Sequence, residues 1–171
     1  MRLTFLGTGS AWSLPEIGCD CLICQQMHQN KETRLRTSFY LEAREKLLID
    51  CGPDIVRQWW ANGLKSLDAV LLTHEHGDHY LGLDELVALR RSASPDNWRP
   101  IPTYATETSW ETIELRFGYL LDKTLDKRVV VPGEQLSGLQ TRVVPFKYIA
   151  HCALCHGPVV SFEREHPGLQ S

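Results

Sequence analysis

Three histidines and an aspartate that could bind metal ions lie within one segment of six residues, which reads His74-Glu75-His76-Gly77-Asp78-His79. The segment directly follows the apolar run AVLLT, so these side chains would lie at the end of a buried strand. On an extended chain, side chains at i and i+2 point to the same side, which lets His74 and His76 bind one ion. Gly77 allows a sharp turn, after which Asp78 and His79 can reach a second ion. Imidazole and carboxylate ligands suit zinc, iron and manganese, so the segment predicts a metal centre.

A second set of metal-binding side chains lies nearer the N-terminus, at Cys19, Cys21 and Cys24. Three thiolates this close together in a glycine-containing loop favour a structural zinc, which needs a fourth ligand to complete its tetrahedron. His28 is a local candidate for that ligand. The alternative is a set of thiols without metal, because cysteines in a reducing compartment are expected to be thiols or ligands rather than disulfides.

The composition is that of an ordinary globular protein. The 171 residues fit one domain, 1–171, with 43% apolar and 23% charged residues. The net charge of −3 argues against a broad nucleic-acid-binding or anionic-membrane surface. No apolar run approaches the roughly 20 residues of a membrane span, and the N-terminus lacks the pattern of a signal peptide. We therefore expect a cytoplasmic protein without a membrane partner.

The apolar pattern predicts strands interleaved with helices, and therefore an α/β domain. The predicted strands are 3–6, 38–42, 46–50, 69–73, 101–104, 129–131, 140–145 and 159–163. The predicted helices are 53–62, 78–91 and 109–121, and a loop is expected at 92–100. Pro53 can occupy the first turn of the first helix, and Gly63 ends it.

The histidine motif and three other segments carry a family resemblance. His-x-His-x-Asp-His after an apolar strand resembles the signature of the metallo-β-lactamase superfamily. The segment MRLTFLGTGS at 1–10 is similar to the opening strand and glycine turn of that family, and LLIDCGPD at 47–54 to its Asp-x-Gly motif. The segment CDCLIC at 19–24 resembles a subset that includes phosphoribosyl cyclic phosphate diesterases and is related to the ribonuclease Z phosphodiesterases. The resemblance implies an αβ/βα sandwich, of which this chain would contain mainly the N-terminal αβ half.

The resemblance also implies a further ligand histidine, which follows a strand and precedes a glycine and another apolar strand. The order of residues places His151 in this role, with His156 beside Gly157 as the alternative. In the subset with the cysteine motif, the fourth ligand of the structural zinc is a histidine near the end of the domain. We assign His74, His76 and His151 to one ion and Asp78 and His79 to the other; this list is the predicted dinuclear centre.

The chemistry implied for such a centre is hydrolysis. Two divalent ions, zinc or manganese, would activate a water that attacks phosphorus in line with the leaving oxygen. Asp78 would orient that water or accept its proton. Asp50 would support the centre by a hydrogen bond to the ligand loop or to a ligand histidine, although it could also simply end a strand. The expected substrate is a small cyclic or nucleotide-like phosphodiester.

Two other functions stay open at this stage. One is hydrolysis of an acyl substrate, such as a thioester or lactone, on the same metal core. The other is a non-catalytic zinc-binding module, which would hold about one zinc at the cysteines and hydrolyse nothing.

The sequence departs from the family in its last third. The superfamily site normally receives an aspartate that bridges both ions and a late histidine, but no aspartate follows Asp126 here, and His166 is the last histidine. We therefore expect little activity from this chain alone, and an apolar sheet face left without its second layer. The favoured explanation is a truncated domain. The alternatives are a dimer or partner chain that supplies the missing half, and a catalytically inactive module.

Overall fold

The computed structural model describes residues 1–131, 136, 139, 141–146 and 159–164, the last two segments by their backbone alone. Six strands form one sheet in the order β1-β2-β3-β4-β5-β6. They are β1 Arg2–Gly7, β2 Ser38–Glu42, β3 Lys46–Ile49, β4 Ala69–Leu71, β5 Ile101–Ala105 and β6 Leu125–Val129. A separate antiparallel pair consists of β7 Thr141–Phe146 and β8 Val159–Arg164.

Helices connect the strands of the larger sheet. They are α1 Leu22–Asn30, α2 Ile55–Ala61, α3 Gly77–Tyr80, α4 Val87–Ser92 and α5 Glu107–Phe117, with 3-10 turns at Leu83–Leu86 and Gly118–Leu120. Strands and helices alternate, which confirms the predicted α/β class. Within the described ranges, no helix has the length and apolar content needed to cross a membrane.

The sheet is mixed, and its parallel part positions the histidine motif. β1, β2 and β3 pair antiparallel, whereas β3, β4, β5 and β6 run parallel. Ile49 at the end of β3 lies opposite Leu71 at the end of β4. Because neighbouring parallel strands end at the same edge of a sheet, the segment after Ile49 meets the segment after Leu71. These two segments carry Asp50 and the histidine motif.

The two faces of the sheet are covered to different extents. Helices α2 to α5 pack on one face, around a core that includes Tyr40, Leu48, Val70, Leu83 and Trp110. On the opposite face, a smaller cluster consists of Leu47, Ala69, Leu71, Tyr104, Val130, Leu136 and Leu139. Towards β1 this second face is open, and Leu3 and Phe5 are 47% and 60% exposed. The described residues therefore leave an apolar part of the sheet uncovered.

The helix predicted at 78–91 is three separate elements, α3, a 3-10 turn and α4. The break lies at Gly82, whose N–H donates to the carbonyl of Cys51 at 2.8 Å. A Cβ atom at Gly82 would lie 2.0 Å from the carbonyl oxygen of Gly52, so the close approach requires glycine here. The apolar spacing could not reveal this break, because its cause lies in a distant part of the sequence.

Two other expectations differ from the structure. The segment after Cys21, expected to be a loop, forms α1; its one buried residue is Cys24, so the apolar periodicity that indicates a helix is missing. The strand expected at 129–131 is β6, Leu125–Val129, which begins earlier in the sequence. β6 is an edge strand, and charged side chains such as Lys127 and Arg128 are common at sheet edges although they obscure a strand pattern.

Candidate metal centre

A buried carboxylate, Asp50, lies beside the histidine motif. It follows β3 with φ of 62°, a left-handed conformation that aspartate tolerates better than most residues, and its exposed fraction is 2%. Its Oδ1 accepts the backbone N–H of Thr73 at 2.8 Å, and both of its oxygens lie 2.9 Å from the Thr73 hydroxyl. Its Oδ2 accepts Nδ1–H of His79 at 2.7 Å. Asp50 therefore joins the end of β3 to both ends of the motif.

The contact with Asp50 determines which nitrogen of His79 is available to a metal. Since Nδ1 donates to the carboxylate, Nε2 carries the free lone pair. This Nε2 lies 3.1 Å from Oδ2 of Asp78, so the two predicted ligands converge on one point. Burial lowers the pKa of His79, but the hydrogen bond to Asp50 and the charges of Asp50 and Asp78 outweigh burial and raise that pKa overall.

His74 is oriented by Asp50 through Thr73. The Thr73 hydroxyl donates to the carboxylate, so its oxygen can accept Nδ1–H of His74 at 3.0 Å, which again leaves Nε2 for a metal. Burial, and then the neighbouring His79, lower the pKa of His74 and favour the neutral imidazole that binds metal. The His74 ring centroid lies 4.6 Å from that of His76 and 4.1 Å from that of His79.

Close backbone packing fixes the motif against the Asp-x-Gly turn. The N–H of Cys51 donates to the carbonyl of His79 at 2.7 Å. A Cβ atom on Gly52 would lie 2.0 Å from the carbonyl oxygen of Asp78. Only glycine lets the two segments approach this closely, so the glycine of the turn sets the position of the ligand loop.

The glutamate within the motif is held by α5. Oε2 of Glu75 accepts the hydroxyl of Ser109 at 3.0 Å, and Ser109 lies in the first turn of the helix, next to its N-cap Thr106. Glu75 therefore anchors the middle of the ligand loop, whereas Asp50 anchors its two ends.

The sequence-based reasoning did not identify Thr73 and Ser109 as supporting residues. Thr73 directly precedes the motif, so its position could have suggested a supporting role. Its hydroxyl contacts, however, depend on the pairing of β3 with β4, which the local sequence does not reveal. Ser109 is distant in sequence from Glu75, and nothing in its local pattern pointed to the motif.

The structure places four members of the predicted dinuclear centre near one another. His74, His76, Asp78 and His79 lie together and half-buried at the sheet edge, with Asp50 behind them. His151, and the alternative His156, lie outside the described residues. The metal roles of all these side chains stay predictions. The donor set fits a divalent ion, because Asp50 and Thr73 between them occupy one nitrogen of two imidazoles and leave the other.

The cysteine cluster is more compact. The Sγ atoms of Cys19, Cys21 and Cys24 all lie within 4.8 Å of one another. In the part of the chain that the structure describes, no other three potential metal ligands lie within that distance. A tetrahedral zinc holds its sulfurs about 3.8 Å apart, so the thiols need to contract only slightly. The cluster could therefore hold a metal.

The backbone at the start of α1 supports the thiols. Cys21 is the N-cap residue, and its Sγ accepts the N–H of Cys24 at 3.5 Å. That bond, followed by contacts with the Cys19 and Cys24 thiols, lowers the pKa of Cys21 and favours the thiolate that binds metal. His28, the local candidate for a fourth ligand, is exposed on α1 and is not part of this group.

Comparison with known proteins identifies the family of the chain. A family model described as the Beta-lactamase superfamily domain matches residues 45–151. Octanoyltransferase of Porphyromonas gingivalis is 38% identical over 125 residues, which are 72% of this chain and 24% of that protein. Zinc phosphodiesterase ELAC protein 1 of Bos taurus is 30% identical over 149 residues, which are 80% of this chain and 37% of that protein.

A solved structure supports the same relationship. The crystal structure of a diphosphatase from the PhnP family superposes with a TM-score of 0.78 at 28% identity, covering 95% of this chain and 61% of that one. The chain thus spans less than two thirds of the length of each of these proteins. The family match extends over more than half of the chain, so the expected resemblance is confirmed. The relatives of this chain include phosphodiesterases. The chain belongs to the metallo-β-lactamase superfamily of hydrolases.

Proposed function

We propose that the chain carries the metal-binding core of a phosphodiesterase that acts on a small cyclic or nucleotide-like phosphodiester. The observation that carries this proposal is the buried Asp50, which fixes His79 directly and His74 through Thr73. A carboxylate that orients histidines in this way is typical of metal sites. The relatives named zinc phosphodiesterase and diphosphatase favour a phosphate ester as the substrate.

The proposed roles follow the two ends of the ligand loop. His74 and His76 would hold one divalent ion, together with His151, and Asp78 and His79 would hold the other. Zinc or manganese bound there would supply a lowered pKa for a coordinated water and positive charge opposite the phosphoryl oxygens. Oδ2 of Asp78 lies 3.1 Å from Nε2 of His79, so both side chains can reach the same ion. The other oxygen of Asp78 can then orient the attacking water or accept its proton.

The three thiols of the cysteine cluster hold a structural zinc in this proposal. They lie at the N-terminus of α1, away from the ligand loop in sequence, so the zinc would stabilise the segment before α1. Thiols that persist as metal ligands require a reducing compartment, and we propose a cytoplasmic location on that ground.

The whole reaction needs more than the described residues. The residues that anchor the ligand loop are present, but no aspartate that could bridge two ions follows Asp126, and no histidine follows His166. We propose that efficient turnover requires a further polypeptide segment that supplies such ligands, from a longer form of the chain or from a partner. Activity of these 171 residues alone is expected to be low.

An acyl substrate is the second candidate. The relative named octanoyltransferase shares the highest identity among the proteins compared above, although this chain covers only 24% of it. A non-catalytic zinc-binding module is a third possibility, favoured by the compact thiol group. The two alternatives differ from the proposal in what they hydrolyse and in how many ions they hold.

One experiment distinguishes the three functions. The chain, supplied with zinc or manganese, is assayed with bis-p-nitrophenyl phosphate and with a thioester, as wild type, as Asp78→Asn and as the exposed control Asp96→Asn. The proposal expects slow phosphodiester turnover that is lost in Asp78→Asn and kept in Asp96→Asn. Faster turnover of the thioester with the same dependence on Asp78 would favour the acyl function. No turnover of either substrate, with one zinc at the thiols, would favour the non-catalytic module.

A further inference from the structure

Two thiols of the cysteine cluster form a Cys-x-x-Cys pair at the N-terminus of a helix. Cys21 is the N-cap residue of α1, and Cys24 lies in its first turn. Their Sγ atoms lie within 4.8 Å of each other, and the N–H of Cys24 donates to Sγ of Cys21 at 3.5 Å. Residues three apart at the start of a helix are close enough for a disulfide, so rotation of the two side chains can bring the sulfurs to bonding distance.

The two thiols differ in their access to solvent. Cys21 is exposed, whereas Cys24 is only 4% exposed, and its Sγ accepts the N–H of Glu16 at 3.4 Å. A dissolved disulfide can therefore reach Cys21, while Cys24 is accessible mainly to a neighbouring sulfur. Cysteines that react in thiol–disulfide exchange are typically accessible, at a helix N-terminus and in a Cys-x-x-Cys pair, and Cys21 meets all three conditions.

The other described cysteines are less suitable partners for Cys21. Cys19 is half-buried and precedes the helix. A bond between Cys19 and Cys21 would close a ring with a single residue between the two cysteines, which forces the disulfide away from its preferred dihedral angle. Cys51 is fully buried in the core and is not part of the cluster. Cys24 is therefore the partner that the geometry favours.

We propose that Cys21 and Cys24 form a reversible disulfide by exchange with glutathione disulfide, a soluble disulfide of reducing compartments. The thiol of Cys21 attacks one sulfur of glutathione disulfide and breaks its S–S bond, which forms a mixed disulfide on Cys21 and releases one glutathione thiol with the proton. The thiol of Cys24 then attacks the Cys21 sulfur and releases the second glutathione thiol in the same way. Two cysteine thiols are oxidised, one glutathione disulfide is reduced, and the reverse reaction restores the pair.

Oxidation of the pair would also remove two ligands from the proposed structural zinc, and this part of the inference rests on the proposed function. A sulfur bonded in a disulfide no longer binds zinc as a thiolate, so the oxidised cluster would keep only the Cys19 thiolate and lose the ion. The disulfide itself depends on the two thiols alone.

The first test measures the disulfide. The full chain, with Cys152 and Cys155 replaced by serine so that they do not react, is freed of metal with a chelator and equilibrated at a range of ratios of glutathione to glutathione disulfide. Free thiols are alkylated with one reagent and, after reduction, the thiols that had been bonded are alkylated with a second, and tandem mass spectrometry locates each label. We expect one disulfide, between Cys21 and Cys24, that disappears as the proportion of reduced glutathione rises.

Three substitutions in this background separate the roles of the thiols. Cys24→Ser should stop the reaction at the first step, so the mixed disulfide with glutathione accumulates on Cys21. Cys21→Ser should leave Cys24 reduced. Cys19→Ser is the matched control, and it should form the disulfide over the same range of ratios as the starting chain. A chain that stays reduced at every ratio, or a bond from Cys21 to Cys19 instead of Cys24, would overturn the proposal.

The second test follows zinc. The reduced chain is loaded with zinc and treated with glutathione disulfide, and released zinc is measured with a chromogenic indicator while the disulfide is quantified in parallel. Zinc should be released in proportion to the disulfide, up to about one ion per chain, and should bind again after reduction. Zinc that stays bound to the oxidised thiols would overturn the competition between ion and disulfide. A reduced chain that forms the disulfide but holds no zinc at the thiols would contradict the structural zinc of the proposed function and support the disulfide.

Discussion

The histidine motif and the cysteine cluster both bring metal-binding side chains together, but the fold holds them in different ways. Asp50 is almost fully buried and contacts Thr73 and His79, so it ties both ends of the histidine motif to the end of β3. The cysteine cluster lies at the N-terminus of one helix, where Cys21 is exposed and only Cys24 is buried.

The difference concerns what must be present before a metal binds. In the histidine motif, hydrogen bonds to protein groups already determine ring orientation and the available nitrogen, so the fold does most of the ordering. In the cysteine cluster, the sulfurs make few contacts beyond the backbone bonds from Glu16 and Cys24, so a bound zinc would itself supply much of the order. Four substitutions test this comparison, from the largest expected loss of stability to the smallest.

Asp50→Ala should cause the largest loss. It removes the acceptor for the Thr73 amide, the Thr73 hydroxyl and His79 Nδ1, and leaves these half-buried donors without their partner. We expect the free energy of unfolding to fall by about 3–5 kcal/mol, measured by urea denaturation. Asp84→Ala, which removes an exposed carboxylate bonded to Tyr119, should cost about 0.5 kcal/mol or less. Equal losses in the two variants would contradict the ordering role of Asp50.

Gly52→Ala should displace the ligand loop. The added Cβ would lie 2.0 Å from the Asp78 carbonyl oxygen, so the backbone must shift, and we expect a loss of about 1–3 kcal/mol in thermal unfolding. Gly118→Ala is the matched control, because nothing lies within 4 Å of its added Cβ and its φ of −54° suits alanine. The control should be neutral or slightly stabilising. A neutral Gly52→Ala would mean that the close approach to Asp78 does not set the loop.

Thr73→Val should separate stability from metal binding. The side chain keeps its shape but loses the hydroxyl between Asp50 and His74, so we expect a modest loss of about 1 kcal/mol. Metal affinity at the histidine motif should fall by about 10-fold or more, measured by competition with a chelator. Thr33→Val, which removes a surface hydroxyl bonded to Arg57, should leave affinity unchanged. An unchanged affinity in Thr73→Val would mean that the contacts from Asp50 through Thr73 to His74 do not support metal binding.

Cys24→Ser should have the smallest effect on global stability, and its main effect should be local to α1. Loss of zinc should speed hydrogen exchange in α1, while the amides of β4 stay protected, because the sheet core does not depend on the cluster. A chelator that strips the zinc should have the same effect. Cys51→Ala gives the reverse pattern, with lower global stability and intact zinc, since Cys51 is fully buried in the core. If Cys24→Ser unfolded the whole chain, the sheet core would depend on the cysteine cluster, which would contradict this prediction.

Local patterns were sufficient for much of the sheet and for the position of the motif. β2 was predicted with both of its ends correct, and the histidine motif was placed correctly at the end of β4, because apolar runs and their polar ends are local signals. The Asp-x-Gly turn was recognised from its resemblance to a motif of the family. Its glycine is needed because the Asp78 backbone approaches it, and a short motif can report such a requirement.

The remaining features depended on contacts between distant residues. The break at Gly82 is caused by Gly52 and Cys51, so the periodicity of 78–91 gave no sign of it. The role of Thr73 depended on the register of β3 and β4, and the contact between Glu75 and Ser109 depended on where α5 begins. α1 was missed because nearly all of its side chains face solvent, which removes the apolar spacing that indicates a helix.

The most direct test of the central claim is the metal content per chain of freshly purified, gel-filtered protein, measured by elemental analysis for the wild type, Cys24→Ser and His76→Ala. Two separate centres predict at least two ions per wild-type chain, with about one lost in each variant. One ion or less in the wild type, lost in Cys24→Ser and kept in His76→Ala, would contradict the account, because the histidine motif would then not form a metal centre in this chain.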